Sequence, residues 1–333
     1  MGALDSRVTI ITGAGRGIGR QHALFFAQQG AKLVLNDNGT EVDGTGADPS
    51  CVEQTAQLVR ELGGEAITNA DSIAEWDTGR KLVEMAVSQY GELHCVVNNA
   101  GILRFAALPD MTELDWDLLM DTHTKGTVST TRHAAAYWRD QFNAGKSVKA
   151  SVVNTTSSVG LQPPAMSLHD RDDEHAAVLR QIHFEMMNYS VAKSAVAAFS
   201  QRAGVALAPF GIRVNAVGPE ATYTRMAGDI GQSKATEDPA EFHHNHPANI
   251  APVVGWLSQA DCPVNAMVFS RVSDVLVEVM APWYLLATVD RAGEAPGRWT
   301  IDELPKAMAQ VPSSPPEGWE ASWEARTDGT VGS

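Results

Sequence analysis

Short runs rich in Val and Ile alternate with longer stretches in which apolar residues recur every three or four positions. The short runs RVTIIT (7–12), KLVLN (32–36), EAITN (65–69), LHCVVN (93–98), ASVVNT (150–155) and IRVNAV (212–217) predict six strands. The longer stretches predict helices over Gly17–Gln29, Val52–Leu62, Thr78–Tyr90, Leu114–Gln141 and Tyr189–Leu207. Strands that are apolar at consecutive positions are buried on both faces, and helices between them supply the cover. The pattern predicts an α/β fold, a doubly wound parallel sheet of Rossmann type.

Of the 333 residues, 5–280 read as one domain without an internal repeat, and 281–333 read as a C-terminal extension. That extension is too polar for a core of its own. Trp299, Trp319 and Trp323 weigh toward an arm packed on another subunit rather than a partly disordered tail.

Composition narrows the partners. With 25 Lys and Arg against 40 Asp and Glu, the net charge is −15, which repels nucleic-acid backbones and anionic membranes. No apolar run is long enough to cross a bilayer, and the N-terminus lacks a signal-peptide pattern. Cys51, Cys95 and Cys262 are odd in number and widely spaced, which predicts free thiols and a cytoplasmic protein.

The chemistry begins at Thr12-Gly13-Ala14-Gly15-Arg16-Gly17-Ile18-Gly19, between the first strand and the first helix. Glycines there let the backbone turn tightly and approach a pyrophosphate held on the free N–H groups of the helix N-terminus. Gly13, Arg16, Gly17, Ile18 and Gly19 are therefore expected at a dinucleotide. Asp37, ending the second strand, can accept hydrogen bonds from the adenosine ribose hydroxyls and would repel a 2′-phosphate. This predicts NAD over NADP, with Arg16 as the opposing signal.

The glycine spacing TGxxxGxG resembles that of the short-chain dehydrogenase/reductase family. Asn98-Asn99-Ala100-Gly101 resembles the family's NNAG motif, and Asp71-Ser72 resembles the pair that contacts the adenine. The resemblance covers roughly residues 5–280. Tyr189 and Lys193, at i and i+4, share one helix face. A free Tyr has a pKa of about 10. A neighbouring Lys⁺ and the nicotinamide cation stabilise phenolate, so Tyr189 can take a proton from an alcohol as hydride leaves.

By the family's spacing the third catalytic member is Ser157, three positions before Gly160, with Ser158 as the alternative. Many relatives carry Asn in the helix after the fourth strand, where it holds a water in a proton relay. Here MDTHTKG places His123 there. After the sixth strand, Pro219 precedes two threonines, and either Thr222 or Thr224 fits the family residue that bonds the nicotinamide carboxamide.

The NDNG segment, NNAGILRF, His123 and PANIAPVVGWLS together resemble a narrower group. This is the (3R)-hydroxyacyl-CoA dehydrogenase unit of multifunctional enzyme type 2 and its bacterial relatives. The resemblance implies NAD-dependent interconversion of a secondary alcohol and a ketone by a homo-oligomer. The implied substrate is a 3-hydroxyacyl thioester or a bulky hydroxysteroid- or terpenoid-like alcohol. Basic residues for coenzyme A phosphates are sparse, which weighs toward the second class.

Two alternatives differ in class. A cofactor-sensing protein on this fold typically loses the Tyr or the Lys. A lyase or epimerase of the extended branch prefers a GxxGxxG turn and a larger C-terminal domain. Neither pattern is present here.

Ser157 and Tyr189 are unusually far apart, which implies an insertion at about 161–187. It reads as a cover for the substrate, with a helix over Ala176–Met187 and Phe184, Met186 and Met187 lining an apolar pocket, or equally as a surface or subunit contact. His169, His175, His183, His243, His244 and His246 lack metal-ligand spacing, so no metal is expected.

Overall fold

The computed structural model describes residues 2–161, 184–219, 222–226, 245–272 and 278–280. They belong to one unit, Met1–Met280. The tail from 281 onward, residues 162–183 of the insertion, and His243 and His244 lie outside the described residues.

Among the described residues eight strands form one sheet, in the order β3-β2-β1-β4-β5-β6-β7-β8. They are β1 (Val8–Thr12), β2 (Lys32–Asn36), β3 (Glu65–Asn69), β4 (Cys95–Asn98), β5 (Ala150–Thr155), β6 (Ile212–Pro219), β7 (Val268–Val272) and β8 (Glu278–Met280). The first seven are parallel, and β8 pairs antiparallel with β7. The fold is the doubly wound Rossmann arrangement that the apolar runs predict. The last two strands are additions that the hydrophobic pattern did not signal.

Successive strand residues point to opposite faces, and both faces are closed. Ile11, Leu33, Val97 and Val153 join one buried cluster with Phe26 of helix α1 (Gly17–Gln28) and Val52 of α2 (Ser50–Glu61). Ile10, Val34, Val96 and Val152 join the other, with Leu82 of α3 (Trp76–Tyr90) and Trp138 of α5 (Gly126–Asn143). Cys51, Cys95 and Cys262 are buried free thiols.

The long helix expected over Leu114–Gln141 is broken. Helix α4 (Glu113–Leu119) passes into a π turn at Met120–Lys125 before α5 begins. A π turn changes the hydrogen-bond ladder without changing the apolar spacing much, so the sequence pattern runs through it unmarked. The remaining α-helices among the described residues are the short α6 (Ser158–Leu161), α7 (Met187–Leu207) and α8 (Ala251–Leu257). Strand order reverses between β1 and β4, the kind of switch point beyond whose carboxyl strand ends open α/β sheets bind ligands.

Candidate active site

At the end of β1 the glycine turn is locked onto the segment after β4. The Thr12 hydroxyl accepts hydrogen bonds from the Asn99 and Ala100 N–H groups, each 3.1 Å. Asn99 Nδ2 donates to the carbonyls of Thr12 and Gly13, each 3.2 Å. Gly13 has φ +65°, and a Cβ there would lie 2.7 Å from Ala100 Cα. At Gly19 a Cβ would overlap the Gly13 carbonyl.

Arg16 stands at the start of α1 without a side-chain cap, so the first-turn N–H groups are left for a ligand. A bare backbone cradle with no room for Cβ atoms suits a dinucleotide pyrophosphate. Thr12 was missed as an organiser because its role rests on partners 87 and 88 residues away.

Asp37 faces this turn. Its Oδ2 accepts from Gly15 N at 2.8 Å and its Oδ1 from Gly39 N at 2.7 Å. Arg16 reaches across to Asp48, Nη2 to Oδ2 2.6 Å. Asp71 pairs with Lys81 at 2.8 Å, and this hydrogen bond holds its carboxyl below the usual carboxylate range. The Ser72 hydroxyl accepts from Ala74 N at 3.3 Å.

Asn98 is buried and braces the sheet. Its Nδ2 donates to Thr131 Oγ1 (3.1 Å) and to Asn154 Oδ1 (2.8 Å), and Asn154 continues to Ser200 Oγ (2.9 Å). Thr224 places its methyl 3.3 Å from where a Cβ of Gly17 would stand, while Thr222 is buried and Pro219 ends β6. Thr224 thus lies beside the turn.

At the carboxyl end of β5, Tyr189 and Lys193 lie one turn apart on α7, both buried. Lys193 Nζ donates to the Thr155 carbonyl at 2.8 Å and stands 5.6 Å from the centre of the Tyr189 ring. Burial pushes the phenol up to about 12, and hydrogen bonding with Ser157 opposes that rise. Burial also brings Lys193 down to about 7.

Ser157, rather than Ser158, thereby meets the Tyr189 hydroxyl. Gly160 accounts for the spacing: a Cβ there would come within 2.8 Å of Lys193 Cβ and of the Ser190 carbonyl, so only glycine lets α6 lie on α7.

His123 sits in the π turn, 1% exposed. Its Nε2 is 2.8 Å from the Ile102 carbonyl and 3.2 Å from the Ile102 nitrogen, and Nδ1 has no partner among the described residues. Burial, then the Lys193 charge, keeps the imidazole neutral, well below its ordinary pKa.

Ile102, Leu103, Leu119 and Met186 close an apolar cluster around Tyr189, with Val159 and Met226 against it. Of the three insertion residues expected to line a pocket, Met186 packs in this buried cluster, while Phe184 and Met187 are 54% and 38% exposed. No group of residues able to hold a metal is found among the described residues. No described helix is long and apolar enough to cross a membrane.

Comparison with known proteins agrees with this geometry. The family model described as short chain dehydrogenase matches residues 7–168, and that described as enoyl-(acyl carrier protein) reductase matches 176–258. A protein of Mycobacterium tuberculosis described as a short-chain type dehydrogenase/reductase is 32% identical, over 81% of this chain and 83% of that one. The hydroxyacyl-CoA dehydrogenase ChsB1 of the same organism is 32% identical, over 80% of this chain and 77% of its own length. Peroxisomal multifunctional enzyme type 2 of Drosophila melanogaster is 31% identical over 78% of this chain, which spans 38% of that longer protein.

Among solved structures, a short chain dehydrogenase from Mycobacterium avium superposes with a TM-score of 0.76 at 32% identity, covering 94% of this chain and 98% of that one. One from Mycobacterium paratuberculosis bound to NAD gives 0.65 at 26%, covering 81% and 98%. One from Burkholderia cenocepacia in complex with NADP gives 0.63 at 20%, covering 81% and 97%, a likeness of fold alone. The chain is an oxidoreductase of the short-chain dehydrogenase/reductase family.

Proposed function

We propose that this protein interconverts a secondary alcohol and a ketone with NAD, its substrate a 3-hydroxyacyl thioester. The observation that carries the reading is the convergence of Tyr189, Lys193 and Ser157 at the carboxyl edge of the sheet, where the glycine turn also lies. When bound, the nicotinamide ring accepts a hydride from the alcohol carbon.

The chain supplies the proton chemistry. In oxidation Tyr189 takes the hydroxyl proton, and in reduction it returns it. Lys193, fixed by the Thr155 carbonyl, provides the positive field that brings a buried phenol into working range. Ser157 donates to the substrate oxygen and stabilises its developing charge. His123, neutral and buried, shapes the wall behind Tyr189.

Asp37 supports NAD. Its two oxygens are oriented by Gly15 and Gly39, which leaves lone pairs for ribose hydroxyls and a charge that repels a 2′-phosphate. The apolar cluster of Ile102, Leu103, Leu119 and Met186 suits an acyl chain, and the names of the two relatives favour the thioester over a steroid or terpenoid alcohol. The roles of Asp71 and Ser72 at the adenine, of Thr222 or Thr224 at the carboxamide, and of residues 5–280 as the catalytic domain belong to the same proposal. Val191 and Val205, 40% and 70% exposed on one face of α7, support a homo-oligomer.

The test is a panel of (3R)- and (3S)-hydroxyacyl-CoA, hydroxysteroids and terpenoid alcohols with NAD⁺ and with NADP⁺, followed by absorbance of the reduced cofactor. The proposal expects the highest kcat/KM with a hydroxyacyl-CoA and NAD⁺. Turnover of steroids alone, or a preference for NADP⁺, would overturn the corresponding part.

A further inference from the structure

The loop between β2 and α2 carries a second carboxylate, Asp48, beside the glycine turn. Residues 37–49 leave Asp37 and return to Asp48 immediately before α2. The two ends of the loop are pressed together: Gly39 has φ +70°, and a Cβ on it would overlap the Asp48 carbonyl. Asp48 N donates to the Asn38 carbonyl at 3.0 Å, and the Asp48 carbonyl accepts from Cys51 N at 3.2 Å.

The Asp48 side chain is also fixed before it meets a cation. Its Oδ1 accepts from Ser50 N (3.1 Å) and Ser50 Oγ (2.5 Å), and these bonds come first among the causes that lower its pKa. The other oxygen, Oδ2, is left to hold Arg16 Nη2 at 2.6 Å.

Arg16 reaches the same place from the glycine turn. Its Nη1 lies 3.5 Å from the Gly39 carbonyl, while the Gly39 N–H is held by Asp37. Asp37 and Arg16 therefore grip one residue from its two sides. The cation that the sequence presents beside the ribose carboxylate is thus engaged by Asp48.

A half-exposed ion pair of this kind adds little to stability. Its geometric consequence is larger. A guanidinium held through one nitrogen by a carboxylate and placed beside a carbonyl through the other has fewer donors to offer a phosphate, and the field it would present is weakened at close range.

We propose that Asp48 is a positioning residue for cofactor selection: it holds Arg16 in an ion pair and so withholds it from the 2′-phosphate of NADP. The inference rests on the dinucleotide reading of the site and adds a second layer to the repulsion by Asp37. Asp37 rejects the phosphate directly, and Asp48 removes the cation that would otherwise compensate.

The experiment is fluorescence titration of NADH and NADPH, without substrate, against the full chain and its variants. Asp48→Asn keeps an acceptor for Ser50 and loses the charge. It is expected to tighten NADPH about tenfold through a freed charge-assisted contact while NADH changes less than about threefold. Asp48→Glu should restore the original ratio. In an Arg16→Gln background, the Asp48→Asn substitution should leave the ratio where Arg16→Gln alone puts it.

Should Asp48→Asn fail to fold, Arg16→Gln alone decides. An already withheld arginine predicts less than about a threefold loss of NADPH affinity, and a loss of about tenfold or more overturns the proposal. Equal shifts for both nucleotides in Asp48→Asn, or none, overturn it while leaving the dinucleotide reading intact. If neither nucleotide binds the unaltered chain, both fall.

Discussion

The His123 imidazole meets the Tyr189 ring edge-on, with centroids 5.4 Å apart and planes at 90°. The histidine is held from behind by Ile102 and from the side by Gly101, where a Cβ would come within 2.5 Å of its Cε1. A glycine in this position of the NNAG segment thus sets where the imidazole stands, and the imidazole backs the phenol. Gly101→Ala should lower stability by about 1–3 kcal/mol, as overpacking of a filled site does. In a His123→Ala background the same substitution should cost much less, because the ring it strikes is gone. Urea unfolding of the four proteins measures the difference.

Because His123 is buried and neutral, it should carry no charge across the working pH range. The rate profile of the native chain should have no limb near pH 6–7 that disappears in His123→Asn. The substitution should lower kcat more than it changes KM, since it moves Tyr189 rather than a substrate contact. Loss of an acidic limb in the variant would show that His123 exchanges protons in turnover.

Burial alone takes Tyr189 up to about 12, away from useful pH. Lys193 Nζ, on the Thr155 carbonyl, faces the ring and, while protonated, carries the opposite charge. In Lys193→Met the pH at which alcohol oxidation reaches half its plateau should rise by at least about one unit, because an opposite charge near the phenolate is lost. Initial rates from pH 6 to 11 at saturating cofactor test this. An unmoved limb would remove Lys193 from the role of activator.

Away from the site, His22 of α1 is fully buried, and desolvation brings it down to about 3. The unfolded chain binds a proton at about 6.5 that the folded chain refuses until about 3. Stability is therefore complete above 6.5 and falls as pH drops through that window, by about 1.4 kcal/mol per unit for this one proton. In His22→Leu that component should vanish, so its denaturation midpoint should decline less steeply between pH 6.5 and 4 than that of the native chain. Parallel declines would place the acid sensitivity elsewhere.

The residues that were legible in the sequence share one property: local spacing expresses their physics. Parallel strands closed on both faces must be apolar at every position, as Ile10-Ile11 and Val152-Val153 are, so β1, β2, β4 and β5 stand out. The glycine turn and the Tyr189–Lys193 pair lie within one turn of chain each. Strands β7 and β8 do not stand out because Ser270 and Arg271 interrupt the apolar run of the first, the second has only three residues, and no helix pattern separates them. The π turn at Met120–Lys125 was missed because it leaves helical periodicity nearly intact.

The rest of the site depends on distance in sequence. Asp48 stands 32 residues from Arg16, and the Asn98–Asn154–Ser200 chain of hydrogen bonds crosses three elements. Nothing near any of these residues states which partner the fold will bring. Local spacing leaves Ser158 open beside Ser157, and the hydrogen bond of Ser157 with Tyr189 depends on how α6 lies on α7, where Gly160 leaves no room for a Cβ.

The account turns on Tyr189 as the proton-transfer group, and Tyr189→Phe tests it most directly. Removing one hydroxyl from a buried ring leaves the packing against His123 and Met186 in place. With the best alcohol of the panel and NAD⁺, kcat should fall by about 10²–10⁴, the usual share of a general acid–base. NADH titrated by fluorescence should bind with unchanged affinity. A variant that retains more than about a tenth of native kcat would contradict the assignment of Tyr189 as acid and base.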